Sequence, residues 1–182
     1  MRVAAALLAV GVVAGALLAR ASQETETLTE TLILTTTTAA TVSDSQLPAR
    51  VEETRAALLA AAETGDYEEL RPYVTPELAY TFGGPVDGGP IAYWRELERT
   101  TDERPLETLA ELLRLPYVLS RGIYVWPWTY TVERAADLSA HEHELLAPLG
   151  SPGELFAPGT GYLGWRTGIS PDGTWTFFVA GD

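Results

Sequence analysis

The chain has 182 residues and carries 12 basic against 25 acidic side chains, a formal net charge of −13 at pH 7. That balance repels phosphate backbones and anionic headgroups, which argues against a nucleic-acid partner and against membrane binding through a basic patch. There is no Cys, no Lys and no Asn, so disulfides, thiol nucleophiles, Cys-ligated metals, Schiff-base lysines and N-glycosylation are excluded.

Arg2 precedes an unbroken apolar run from Val3 to Ala19, which ends in Ala19-Arg20-Ala21. A charged start, an apolar stretch and a small-x-small site read as a secretory signal peptide. The run also reaches the lower length limit for crossing a bilayer. Residues 1–21 therefore read as a signal peptide or as a membrane anchor through residues 3–19. In both cases the remainder is expected to be exported, whether periplasmic, otherwise extracytoplasmic or secreted, with membrane contact only through this segment. Residues 22–45 are rich in Thr, Ser and Glu and hold no basic residue. They read as a linker: a flexible stalk, a stalk carrying O-linked glycans, or an added edge strand. Residues 46–182 suit one globular domain with a single core.

Leu47-Pro48 opens a helix in which Val51, Arg55, Leu58, Leu59 and Ala62 share one face. Ser45 is a candidate N-cap, Pro48 belongs to the first turn, and Gly65 ends the helix. Asp66-Tyr67-Glu68-Glu69 has the spacing of a capping box for a short second helix to about Tyr73. Thr75-Pro76 breaks it, and Leu78-Ala79-Tyr80-Thr81-Phe82 reads as a strand with Leu78, Tyr80 and Phe82 on one face. After the Gly/Pro loop at 83–90, Pro90 starts a third helix, from Ile91 to about Leu97. A fourth spans Pro105 to Leu113, with Leu106, Leu109, Ala110 and Leu113 inward, and Pro116 stops it. Ile123 to Trp126 reads as a strand. Ser139-Ala140-His141-Glu142 is a capping box opening a helix through Leu146. Tyr162 to Ile169 and Thr174 to Val179 read as strands joined at Ser170-Pro171-Asp172-Gly173, a type I turn closed by a left-handed Gly. Trp175, Phe177 and Val179 are expected to face one way, with Leu163, Trp165 and Ile169 as companions. Helices first and a β-hairpin last give an α+β class, with helices packed on a curved antiparallel sheet.

Two resemblances follow from these residues. Residues 49–98, with Tyr80-Thr81-Phe82-Gly83-Gly84 and Ile91-Ala92-Tyr93-Trp94, resemble the nuclear-transport-factor-2-like (NTF2-like, SnoaL-like) superfamily. That resemblance implies an apolar cone formed by a curved sheet and its helices, a scaffold for enzymes of the cyclase or isomerase type and for plain binding modules alike. The helix at 139–147 departs from the pattern, falling where it has sheet. Tyr124-Val125-Trp126-Pro127-Trp128 and the ending from Gly168 to Asp182 are similar to a family of short exported bacterial proteins of uncharacterised activity. This second resemblance implies an envelope location.

No motif carries chemistry. His141 and His143 are i and i+2, and on a helix they diverge, whereas a metal pair wants i and i+4. No G-x-S-x-G is present, and the loop at 83–90 lacks the ending of a phosphate-binding loop. No catalytic residue, no metal and no cofactor is assigned. Tyr80, Phe82, Trp94, Tyr124 and Trp126 are candidate ligand-binding residues if the cone is open, and are core if it is filled. Arg166, flanked by small Gly164 and Gly168, is a candidate for receiving a carboxylate or phosphate, or else a surface ion-pair partner. The expected role is a non-catalytic binding or interaction module for an envelope protein, a wall component or a small apolar ligand. The alternative is a small enzyme of the cyclase or isomerase type acting on an apolar molecule.

Overall fold

A computed structural model describes residues 46–181. The signal or anchor segment, the linker, Ser45 as a cap and the final Asp182 all lie outside the described residues.

Helix α1 spans Ala49–Glu63, with Val51, Leu58, Ala61 and Ala62 buried. Pro48 stands at the cap position and offers no side-chain bond. Two contacts fix the helix to distant chain. Arg55 donates to the carbonyl of Leu113 at 2.7 Å and pairs with Glu52 at 2.6 Å. Thr54 donates to the carbonyl of Gly173 at 2.7 Å. Residues Tyr67–Tyr73 form a 3-10 helix. The expected box with Glu69 is not made; the Asp66 carboxylate accepts from the Glu68 N–H at 2.9 Å instead. Helix α2 spans Gly89–Thr100, starting two residues earlier and ending three later than expected, and buries Ile91 and Trp94. Helix α3 spans Pro105–Arg114 and buries Leu106, Leu109, Ala110, Leu112 and Leu113, which agrees with the apolar spacing.

The main sheet has four strands, β1 (Val118–Ser120), β2 (Ile123–Trp126), β5 (Arg166–Ile169) and β6 (Trp175–Val179), in the order β1-β2-β5-β6. Every pair in it is antiparallel. Strands β2 and β5 pair directly, with Tyr124 opposite Ile169 and Trp126 opposite Thr167. Between them the chain leaves the sheet. This excursion holds α4 (Ala140–Leu146), α5 (Pro152–Leu155) and a small ladder of β3 (Phe156–Ala157) with β4 (Gly161–Tyr162). The helix at Ala140–Leu146 thus lies in sequence between two strands that are neighbours in the sheet. Its capping box is formed, with the Glu142 carboxylate accepting from the Ser139 N–H at 2.8 Å.

Both faces of the sheet are covered. Trp126, Ile169, Trp175 and Phe178 pack with the buried residues of α1, α2 and α3. Val118 and Val125, with Phe177 beside them, pack with Trp128, Leu146, Leu155, Phe156 and Tyr162 of the excursion.

Three strand expectations are corrected. Residues 78–82 are not a strand. Ala79 makes one isolated parallel bridge to Phe177, with its N–H on Thr176 O at 3.0 Å and its carbonyl accepting from Phe178 at 2.9 Å. Pro76 below it and the glycines above it leave no length to pair. The run Tyr162 to Ile169 is split: Tyr162 belongs to the small ladder and only Arg166–Ile169 to the main sheet. On the last strand, Trp175 and Phe177 do not share a face. The register shifts beside Gly168 and Ile169, so that Ile169 faces Trp175 while Gly168 faces Phe177. Thr176 is the extra residue of a bulge, and a bulge reverses the alternation. Trp175 and Phe178 thus point to the helices and Phe177 to the excursion.

Candidate functional site

The space between sheet and helices is filled. Trp94 is fully enclosed, while Trp126, Trp175 and Phe178 are each only 1 % exposed. Three of these rings interlock, with Trp94 centred 5.5 Å from Trp175 and 5.4 Å from Phe178, while Trp126 packs on Tyr117 at 5.6 Å. Trp94 and Trp126 therefore act as core and open onto no cleft. Tyr124 is half-buried and leans on Tyr117, centroids 5.7 Å apart.

The other candidates lie at the rim. A groove of about 250 Å³ is lined by Tyr80, Phe82, Tyr93, Leu97, Glu103 and Trp165, among others. Tyr80 packs on Tyr93, centroids 5.5 Å apart, and edge-on to Trp94 at 6.4 Å. Its hydroxyl accepts from the Val86 N–H at 2.8 Å, which ties the Gly/Pro loop down. Phe82, at that loop's start, is 55 % exposed. Trp165 packs at a tilt on Phe178, ring centres 4.6 Å apart, and donates its indole N–H to Glu103 at 2.8 Å. The groove is thus held by core contacts on one side while its rings face solvent on the other. Aromatic faces beside one carboxylate suit an apolar or sugar-like ligand.

Arg166 sits on the next cleft, of about 360 Å³, together with Arg121, Ser120, Tyr130, Thr131 and Thr160. Its guanidinium lies 5.3 Å from the centre of the Phe82 ring and 5.9 Å from that of Tyr130. It donates to the carbonyl of Gly181 at 3.0 Å. Among the described residues it forms no ion pair, so the expected surface pairing is not seen there. The room left by Gly164 and Gly168 is taken. A Cβ on Gly164 would overlap Tyr162 and Leu155, and one on Gly168 would overlap the Phe177 ring. Burial pushes the Tyr162 phenol up, and its hydroxyl donates to the carbonyl of Trp165 at 2.9 Å.

His141 and His143 lie on α4 as a helical pair at i and i+2; His141 is exposed and comes within only 3.9 Å of Glu144. Among the described residues no group of three or more His, Asp or Glu side chains could hold a metal ion, and no helix is long and apolar enough to cross a membrane.

Sequence reasoning left out Tyr93, Glu103 and Arg121 as site residues. Tyr93 was within reach: it neighbours Trp94 on a helix, and a 100° step sends one ring inward and the other to the rim. Arg121-Gly122 between two strand-like runs was likewise a two-residue turn signal. Glu103 meets Trp165 across 62 positions, and no local pattern encodes that. Comparison with family models, with characterised proteins and with solved structures finds no match.

Proposed function

We propose that this chain is an exported cell-envelope domain that acts by binding rather than by catalysis, with the Tyr80–Trp165 groove as its contact site. The observation that carries this reading is the filled interior. A cone enzyme of the cyclase or isomerase type holds its substrate between sheet and helices, and here Trp94, Trp126, Trp175 and Phe178 occupy that volume. Within the same reading, α1 to α3 on one face of the antiparallel sheet support an NTF2-like arrangement whose cone has become core. The aromatic surface has been moved outward, to a rim where Phe82 stands exposed beside Tyr80, Tyr93 and Trp165. Exposed aromatic faces are the usual anchors of binding sites. The apolar start of the chain and its resemblance to short exported proteins support the location.

The test is thermal unfolding of the full chain against wall fragments, aromatic and sterol-like small molecules, and envelope extracts. A binder at about 100 times its Kd adds roughly 2.7 kcal/mol of stability. We expect one class to do so and Phe82→Ser to abolish the effect without lowering the ligand-free Tm. A ligand effect that survives Phe82→Ser and Trp165→Ala would remove the groove from the reading. Turnover of any of these compounds would overturn it.

A further inference from the structure

The cleft beside the groove has a different chemistry. Among the described residues it is lined by two arginines, by hydroxyl-bearing side chains and by Leu163, with no Asp or Glu. In a chain of net charge −13 such a place is unusual. Six of the other arginines, Arg55, Arg71, Arg95, Arg99, Arg114 and Arg134, pair with carboxylates. Neither Arg121 nor Arg166 does so among the described residues. Arg166 is steadied by Phe82, Tyr130 and the Gly181 carbonyl, which leaves its fork oriented and, among the described residues, without a carboxylate partner. Arg121 occupies a costly backbone position. It has φ +51° and is the one non-glycine residue with positive φ among those described, followed by Gly122 at +82°. This two-residue turn between β1 and β2 takes Gly, Asn or Asp with least strain. Arginine is therefore a costly choice for the turn, and Arg121 is one of the residues that line the cleft. A sparsely populated backbone conformation at a cleft is a pointer to function when other observations agree with it.

We propose that Arg121 and Arg166 form a binding site for an oxyanion, a carboxylate or phosphate group of a small hydroxylated ligand, which Ser120, Tyr130 and Thr160 contact through their hydroxyls. Guanidinium forks match both groups in two-pronged geometry. The site adjoins the aromatic groove, since Phe82 lines the groove and also carries Arg166 on its ring, but it takes an anion where the groove takes an apolar face.

The experiment uses the full chain at constant ionic strength, with chloride as the reference anion and inorganic phosphate and citrate as probes. Binding is followed by calorimetric titration and by Tm. We expect phosphate, citrate or both to bind, the stronger probe naming the group. Arg121→Gly should raise the ligand-free Tm, because glycine takes the positive φ without strain, and yet weaken binding about tenfold through loss of a charge-assisted contact. Arg121→Gln should weaken binding equally without the rise in Tm. A purely structural Arg121 would not move stability and affinity in opposite directions. No binding by either probe overturns the proposal, and so does undiminished binding in both Arg121 variants.

Discussion

The indole N–H of Trp175 donates to the hydroxyl oxygen of Thr167 at 2.8 Å, and the bond is closed to solvent, with Thr167 fully enclosed and Trp175 1 % exposed. The Thr167 hydroxyl donates in turn to the carbonyl of Phe177 at 2.9 Å. One hydroxyl thus satisfies two polar groups of β6 from the neighbouring strand, beside the bulge at Thr176. Thr167→Val keeps the shape and orphans both groups, at a cost of about 1–3 kcal/mol for each buried group left unpaired. A fall in Tm is expected. The double variant Thr167→Val with Trp175→Phe should be less destabilising than the sum of the two singles.

Trp94 gives the contrasting case. Its indole nitrogen is buried and has no hydrogen-bond partner among the described residues. Trp94→Phe and Trp175→Phe remove the same atoms, but only the second breaks a bond. The first should cost less, by about 1 kcal/mol. Denaturant unfolding of the two variants with equal m-values checks this; equal losses would mean that cavity terms outweigh the hydrogen bond.

Gly168 sits beneath the Phe177 ring, where a Cβ would overlap it. Gly168→Ala should cost about 1–3 kcal/mol through overpacking. Gly168→Ala with Phe177→Leu should recover part of that loss. Both residues belong to the sheet face that meets the excursion, so the near-ultraviolet signal of Trp128 and Tyr162 is expected to change with them.

Acid should loosen the excursion before the rest. The Ser139 hydroxyl and then its backbone N–H hold the Glu142 carboxyl below the usual range, with the Trp128 indole adding to the effect. Because the folded value lies below the unfolded one, near 4.3, the stabilisation is fully present above about pH 4.5 and is lost as pH falls through the folded value. Urea unfolding between pH 7 and pH 3 should show this decline, and Glu142→Gln should flatten it while lowering stability at pH 7 by about 1 kcal/mol, as for loss of a helix cap.

The helices were the most legible part of the fold. Leu106, Leu109, Ala110 and Leu113 repeat with the α period, Pro105 stands at the start, and the Ser139–Glu142 box is a short-range signature; each needs only residues within one or two turns. The turn at Ser170–Gly173 was legible for the same reason, with Gly173 at φ +90°. Strands were read less well. Residues 78–82 have a strand's composition and only a single bridge, because pairing depends on what lies alongside. The site was half legible. Tyr80, Phe82 and Arg166 were named from the sequence and reach the surface, whereas Trp94 and Trp126, named on the same grounds, are core.

By itself, then, the sequence determined a strongly acidic chain without Cys or Lys, an apolar run from Val3 to Ala19, a mixed helix-and-sheet class, and helices whose apolar faces and ends are written locally. Tertiary structure alone decided that one residue, Thr176, bulges and turns Trp175 and Phe177 to opposite faces. It alone decided that aromatic rings fill the interior, and that Glu103 meets Trp165 and Arg121 shares a cleft with Arg166. The physical reason is range. Period, capping and turn chemistry act over a few residues. Register and the sharing of a cleft are set by long-range packing, where each ring's place depends on which others have already taken the volume.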